Sequence, residues 1–353
     1  MQQIKWAVDG LFLTQRVSGI QRYSLELLAA LDDIAPPGLV DVVVPPGASA
    51  PAYRNLRVVP FGRSRGFVWE QLDYPQYLRS SGRCGLCTCN VIPVLGFRGV
   101  AVVHDVCYRA RPDFYTAPRA RLSALWHRFQ YRLIARRAEK IITVSEFSKQ
   151  ELQRYYQVPA GRVAVVYNAW QQMERIEADQ TVFDRHPELS RGGYWFSMSN
   201  LLKNKNFPWV LEAARCNPGE VFALAGGGSL SGVPGADRSN VKLLGYVTDG
   251  EAKALMAGCK GFLFPTLYEG FGIPPLEAIA AGAPAVLVSD TPCMREIYGD
   301  CAGYIDLTAS PGDLAAVRPP RRPAAEVLEK YSWQKSARTL LELLQEPYGA
   351  CKK

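Results

Sequence analysis

Apolar residues along this chain fall into two patterns that take turns. Short runs dense in Val, Ile, Leu and Phe are followed by longer stretches in which apolar positions recur every three or four residues. The short runs read as buried strands and the longer stretches as helices with one apolar face. Residues 4–8 open the series, and strands are predicted at 40–44, 100–104, 140–144 and 163–167. After the first, Ser18-Gly-Ile-Gln21 has the form of a capping box, and Ile20, Tyr23, Leu27 and Leu31 line one face of the helix it starts. A second set of strands is predicted at 195–198, 221–225, 241–244, 261–264 and 285–288, and residues 332–344 close the chain as an amphipathic helix.

Strands that alternate with helices imply an α/β architecture of the doubly wound kind. Residues 171–193 are polar, without a steady period, and contain Pro187 and a Gly-Gly pair; they read as a joining region. The expected organisation is a first domain over 1–170, a linker over 171–193, a second domain over 194–331, and a terminal segment over 332–353. Open α/β sheets bind ligands beyond the carboxyl ends of their strands, so two such domains facing each other would form a cleft.

The stretch Thr266-Leu-Tyr-Glu-Gly-Phe-Gly-Ile-Pro-Pro-Leu-Glu-Ala-Ile-Ala280 carries the most chemistry. It runs from a strand into a helix whose first turn holds Pro274 and Pro275. Glu269 falls on the turn, and Glu277 about one helical turn inside. Free N–H groups near Gly270, Phe271 and Gly272 suit a phosphate oxygen. A carboxylate beside that anion must face another partner, and sugar hydroxyls are the natural one, because an ionised carboxylate accepts several hydrogen bonds. A ligand with phosphate at one end and polyol at the other fits: a nucleotide-sugar.

Other candidates stand at predicted strand ends. Ser18-Gly19 opens the first helix as a cap or as backbone close to a phosphate. His104-Asp105 ends a buried strand, where site residues sit; the alternative is a satisfied core histidine. Ser145 and Ser148 read mainly as helix caps. Lys205, followed by Asn206, could neutralise a diphosphate, and Gly226-Gly-Gly228 reads as a turn. Cys84-x-x-Cys87-x-Cys89 lacks the second pair that a zinc site needs, so buried thiols are expected and no metal. The nine cysteines are scattered and odd in number, which favours reduced thiols and a cytosolic setting. There is no signal-like head at Met1 and no apolar run long enough to span a bilayer.

The net charge of +8 admits nucleic acid, an anionic membrane, a phosphorylated ligand or a solvated basic surface. Residues 119–140 carry six arginines and one lysine against one glutamate. Leu122, Trp126, Phe129 and Leu133 are predicted on one face of that helix, and Arg128, Arg132 and Arg136 on another. With the basic, aromatic residues 63–83, this suits either peripheral membrane contact or a helix packed on its sheet with a basic outer face.

The segment from Phe264 to Ile279, with its E-x₇-E spacing around Gly-Phe-Gly, resembles the signature of glycosyltransferase family 4. So do Ser18-Gly-Ile-Gln-Arg-Tyr23, Val103-His-Asp105, Thr143-Val-Ser-Glu-Phe-Ser148, Val166-Tyr-Asn168, Lys205-Asn206, Leu244-Gly-Tyr-Val-Thr-Asp249 and Ser332-Trp333. These occur in the family's order along nearly the whole chain. The resemblance implies a GT-B fold, in which two Rossmann-like doubly wound domains face across a cleft and a C-terminal helix crosses back to the first. It implies a retaining transferase using a nucleotide-sugar, with no cofactor and no required metal. Glu277 is then expected at the nucleotide ribose, Glu269 at the donor sugar with Gly270, Phe271 and Gly272 beside it, Lys205 at the diphosphate, His104 at the sugar near the reacting carbon, and Gly19 near phosphate or acceptor. Ser199 stands where the family often has an arginine, and Glu296 matches a family glutamate although Arg295 replaces the usual proline. Asp105, Ser145 and Asn206 complete the candidates. Family frequency favours GDP-mannose as donor, ahead of UDP-sugars and dTDP-rhamnose. The acceptor is expected to be a saccharide, free or polyprenyl-linked, in surface polysaccharide synthesis, with no nucleic acid partner and a setting in the cytoplasm or on the inner membrane face. Outside this function stand a GT-B nucleotide-sugar epimerase and a non-catalytic sugar-binding module.

Overall fold

The computed structural model describes residues 4–198, 202–227, 233–314, 317 and 320–348. The chain divides into two compact units, one formed by Met1–Asn168 with Trp333–Lys353 and the other by Ala169–Ser332.

In the first unit the described strands are β1 (Trp6–Asp9), β2 (Val40–Val44), β3 (Arg57–Pro60), β4 (Cys84–Cys87), β5 (Gly99–Val102), β6 (Lys140–Thr143) and β7 (Val163–Val165). They form one parallel sheet in the order β3-β2-β1-β4-β5-β6-β7. Val8 stands level with Val42 on one side and Leu86 on the other. Every residue of β1, β2, β4 and β5 is buried, as expected of a parallel sheet covered on both faces. The pairing of β4 with β5 depends on glycine. A Cβ on Gly99, whose φ is +145°, would lie 1.9 Å from the carbonyl oxygen of Gly85.

Helix α1 (Gly19–Asp32) buries Tyr23, Leu27 and Leu31, as its spacing predicts. Its packing partner is the C-terminal helix, Trp333–Gln345. That helix is held to this unit by Trp6 Nε1 donating to the Leu344 carbonyl at 2.9 Å and by Ser336 Oγ donating to the Tyr167 carbonyl at 2.7 Å. The chain therefore returns to the first unit at its end, the arrangement implied by the resemblance.

Two elements differ from the sequence reading. Residues 84–87, read only for their cysteines, form the strand β4 beside β1, with Cys84 and Cys87 buried as expected. Cys84 is disulfide-bonded, so the expectation of reduced thiols throughout fails at this position. Cys87 and Cys89 are free, and burial pushes both thiols up. Helix α2 (Pro118–Arg137) buries Ala124, Gln130, Tyr131, Leu133 and Ile134. Leu122 and Phe129 face outward, so the predicted Leu122–Leu133 face is split between core and surface.

The second unit carries β8 (Tyr194–Met198), β9 (Val221–Ala225), β10 (Val241–Gly245), β11 (Gly261–Phe264), β12 (Val286–Ser289) and β13 (Gly303–Ile305). These are parallel, in the order β10-β9-β8-β11-β12-β13. Helices α3 (Phe207–Cys216), α4 (Asp249–Gly258), α5 (Ile273–Ala280) and α6 (Pro292–Tyr298) connect them. The core on one face gathers Trp195, Phe207, Trp209, Phe222 and Leu263. In both sheets the strand order reverses direction once, between β1 and β4 in the first and between β8 and β11 in the second. Loops that leave the carboxyl ends of such a pair diverge to opposite faces and leave a crevice.

Candidate functional site

In the second unit the crevice lies after β8 and β11, and the sequence places Lys205 after one and Glu269 after the other. The two loops are tied together by backbone: Leu267 N–H donates to the Asn204 carbonyl at 2.7 Å. Lys205 Nζ is then 2.5 Å from Glu269 Oε1, with both side chains largely buried. Asn206 takes a left-handed backbone (φ +56°) at the start of α3. Ser199 lies outside the described residues, as does Gly228 of the Gly-Gly-Gly turn.

The turn from β11 into α5 is set by Gly272, with φ +83° and ψ 74°. Its carbonyl accepts from the Tyr298 hydroxyl, and a Cβ there would stand 2.8 Å from Met294 Cε and 3.1 Å from Phe264 Cε1. Phe271 packs edge-on against Tyr331 with ring centroids 5.2 Å apart. Its side chain serves the core, and backbone is what it can offer a ligand. Pro274 and Pro275 stand in the first turn of α5, where their lack of N–H costs nothing. One turn inside, Glu277 Oε1 accepts from Gln172 Nε2 at 2.8 Å. Gln172 is fully buried. Its neighbours are anchored too: Trp170 Nε1 donates to the Leu328 carbonyl at 2.9 Å and Gln171 Nε2 to that of Tyr331 at 3.1 Å. Glu296 is half-buried on α6. Arg295 beside it is held by Asp290 through two bonds of 2.6 and 2.7 Å.

The first unit assembles its own group beyond β1, β4 and β5. His104 is buried, and burial lowers its imidazole pKa to about 4. Its Nε2–H donates to the Thr88 carbonyl at 2.9 Å, so the neutral ring carries its free lone pair on Nδ1. Asn90 Oδ1 accepts from the His104 backbone N–H at 2.8 Å, Ser148 Oγ donates to the His104 carbonyl at 3.1 Å, and the Tyr23 ring meets the imidazole edge-on at 4.9 Å. Asp105 accepts from the Cys107 N–H at 2.8 Å, which shapes the next turn. Ser145 is a helix cap, accepting from the Ser148 N–H at 3.0 Å. Ser18 and Gln21 form the predicted box, with Ser18 N–H 3.2 Å from Gln21 Oε1, and Gly19 is exposed at the first turn of α1.

Four residues here escaped the sequence reading. Gln172 sat in a stretch read as linker, Thr88 lay in the segment read for its cysteines, and Asn90 directly follows it. The fourth is Asp9, which ends β1 and hydrogen-bonds Glu70 on the turn Trp69–Asp73. Burial raises both carboxyl pKa values, Glu70 to about 8; the charge of Asp9 and its hydrogen bond push Glu70 up further, while the same bond pulls Asp9 down. The pair therefore holds a proton at neutral pH. Nothing in a one-dimensional pattern brings residues 9 and 70 together. Among the described residues no group of three or more His, Cys, Asp or Glu side chains is arranged to hold a metal ion.

Residues 17–170 match the family model described as Glycosyltransferase Family 4, and residues 180–316 match that described as Glycosyl transferases group 1. The O-antigen chain mannosyltransferase RfbU of Salmonella typhimurium is 26% identical over 82% of this chain and 83% of its own length. The GDP-mannose:cellobiosyl-diphosphopolyprenol alpha-mannosyltransferase of Komagataeibacter xylinus is 25% identical over 67% of this chain and 63% of its own. Among solved structures, Anabaena HepE in complex with UDP and glucose superposes with a TM-score of 0.67 at 14% identity, covering 97% of this chain and 99% of that one. That likeness concerns the fold, two Rossmann-like domains of the GT-B kind.

Proposed function

The chain belongs to glycosyltransferase family 4 and is a glycosyltransferase, and from that premise we propose that it transfers mannose from GDP-mannose, with retention, to a saccharide acceptor on a polyprenyl diphosphate during surface polysaccharide synthesis. The observation that carries the donor half is the Lys205–Glu269 pair at 2.5 Å beside the Gly272 turn, with Glu277 oriented by Gln172. It supplies, in one crevice, a cation, a helix start and two carboxylates. Likeness to the O-antigen chain mannosyltransferase and to the diphosphopolyprenol mannosyltransferase supports the mannosyl and polyprenyl parts.

Each residue has a role that its setting supports. Glu277 accepts from the ribose hydroxyls. An ionised carboxylate has about four acceptor positions, so the bond from Gln172 orients it without exhausting it. Lys205 meets the diphosphate, whose negative charge grows as the leaving group departs. Its ammonium also screens Glu269 from that charge and leaves the carboxylate to sugar hydroxyls, with backbone from Gly270 to Gly272 alongside. His104 cannot supply a proton at neutral pH; its Nδ1 lone pair accepts from a hydroxyl of the transferred sugar, and Gly19 offers backbone N–H at the start of α1. In the transfer the anomeric C–O bond to phosphate breaks and a bond to the acceptor oxygen forms on the same face. The acceptor's proton passes to the departing diphosphate, and no metal is needed for this balance.

Calorimetric titration of the purified protein with GDP, UDP, dTDP and ADP, with and without EDTA, tests the reading. GDP alone should bind, unchanged by EDTA, and at 100 times its Kd should stabilise the fold by about 2.7 kcal/mol. Selective binding of UDP or dTDP would replace the donor and leave the transferase role intact. Binding of none would remove the crevice as a donor site.

A further inference from the structure

The outward face of α2 departs from what a helix packed on its own sheet normally shows. Leu122, Leu125, Phe129, Arg132 and Arg136 follow one another at spacings of three, four, three and four, a single stripe about 21 Å long. All five are exposed, Leu122 to 70% and Leu125 to 60%. Beside the apolar end stands a second exposed group from residues 66–73: Phe67 at 57% and Leu72 at 63%, with Val68 between them. The two groups are one surface, because the Phe67 ring lies 5.3 Å from that of Trp126, and Trp126 lies 5.7 Å from Phe129. Isolated exposed leucines need no explanation, but a contiguous aromatic and aliphatic patch does.

The charges around the patch are one-sided. From residue 119 to 137 there are six arginines and no acidic residue. In the neighbouring stretch Glu70 is buried, and Asp73 is turned inward onto the Arg63 and Ser64 backbone N–H groups at 3.0 and 2.8 Å. Neither Arg132 nor Arg136 is paired with a carboxylate among the described residues. Both line an open pocket of about 420 Å³ with Tyr155, Tyr156 and Arg162. The Tyr156 hydroxyl is buried there without a hydrogen-bond partner among the described residues. Arg162 is already engaged by the Ala135 and Ala138 carbonyls, which leaves Arg132 and Arg136 as the cations available to an anion.

We infer that this face docks on an anionic phospholipid bilayer, with Phe67, Leu72, Leu122, Leu125 and Phe129 entering the acyl boundary and Arg132 and Arg136 taking lipid phosphates. Apolar side chains projecting from two segments into one patch suit a fluid apolar phase, which closes around all of them; a protein partner would have to supply a surface shaped to every one. An apolar edge that grades into an acid-free basic edge is the charge complement of a headgroup layer over acyl chains. The inference concerns a surface of the first unit and does not rest on the choice of donor.

The test is co-sedimentation of the full chain, without nucleotide, with vesicles of phosphatidylcholine alone or mixed with phosphatidylglycerol. The expected result is binding to the mixed vesicles that weakens with salt. The triple variant Leu122→Ser, Leu125→Ser, Phe129→Ser should lower partitioning by about tenfold or more. Arg132→Glu with Arg136→Glu should abolish the preference for phosphatidylglycerol while sparing GDP binding. Since all five positions are exposed, unchanged circular dichroism is expected and is checked first. Failure to bind either vesicle, equal binding by wild type and both variants, or a solution dimer that the triple variant dissolves would each overturn the inference.

Discussion

Gly272 permits a prediction with its magnitude set by geometry. Replacing it with alanine adds one methyl group at φ +83°, where that Cβ would meet Met294 Cε at 2.8 Å and Phe264 Cε1 at 3.1 Å. Two costs follow. The left-handed backbone disfavours any L side chain by about 1–2 kcal/mol, and overpacking adds about 1–3 kcal/mol, for a total of about 2–5 kcal/mol. Gly282, ten residues on at the far end of α5, separates the two. Its φ is +87°, and a Cβ there would meet nothing within 4 Å, so Gly282→Ala should cost only the backbone part, about 1–2 kcal/mol. Thermal unfolding reads the difference, at about 2–4 °C per kcal/mol for domains of this size. The same two variants separate stability from function. Gly272→Ala moves the N–H groups of the turn and should weaken GDP binding about tenfold or more, while Gly282→Ala leaves it unchanged. Adding Met294→Ala to Gly272→Ala should return part of the lost stability, since the two sites share a contact. Equal destabilisation by Gly272→Ala and Gly282→Ala would refute the overlap argument. Undiminished GDP affinity in Gly272→Ala would refute the placement of the donor at this turn.

His104→Ala should lower turnover by about 10²-fold or more while GDP affinity stays constant; equal loss of both would contradict its role at the sugar. Because burial holds this imidazole at a pKa of about 4, wild-type turnover should show no ionisation near pH 6.5 that His104→Ala removes. Glu70 is protonated in the fold up to about pH 8 and ionises in the unfolded chain near pH 4.3. The stability it contributes is complete below pH 4.3 and is lost as pH rises through about 8. Urea midpoints at pH 6 and pH 9 should therefore fall more steeply for wild type than for Glu70→Gln; parallel curves would contradict the shared proton. Gln172→Leu should raise the Kd for GDP about tenfold through loss of a charge-assisted bond, with no added loss when combined with Glu277→Ala. Simple additivity of the two would show that Gln172 acts independently of Glu277.

How much was legible differs from residue to residue. Lys205, Glu269 and Glu277 could be picked out because local chain chemistry marks them: a strand, a Gly-Phe-Gly turn, a proline pair and a helix follow in unbroken order. The strand β4 was not legible, since Cys-Gly-Leu-Cys has neither the length nor the β-branched residues that announce a strand; its place between β1 and β5 makes it one. On α2 the period was read correctly as helical, but which side of the helix meets the sheet depends on where β6 and its neighbours lie, and Leu122 and Phe129 ended outside. Gln172 carried no signal, because its importance is a 2.8 Å bond to a residue 105 positions away.

The sequence by itself determined the architecture class, the order of the elements and the candidate donor-binding residues, because periodicity, caps and turn chemistry act over a few residues. Only the tertiary structure decided which polar groups meet. It joined Asp9 to Glu70 and Gln172 to Glu277, held His104 neutral against Thr88, and left the Leu122–Arg136 stripe uncovered. Proximity across a sheet, and the burial that shifts a proton's affinity, belong to the packed chain as a whole.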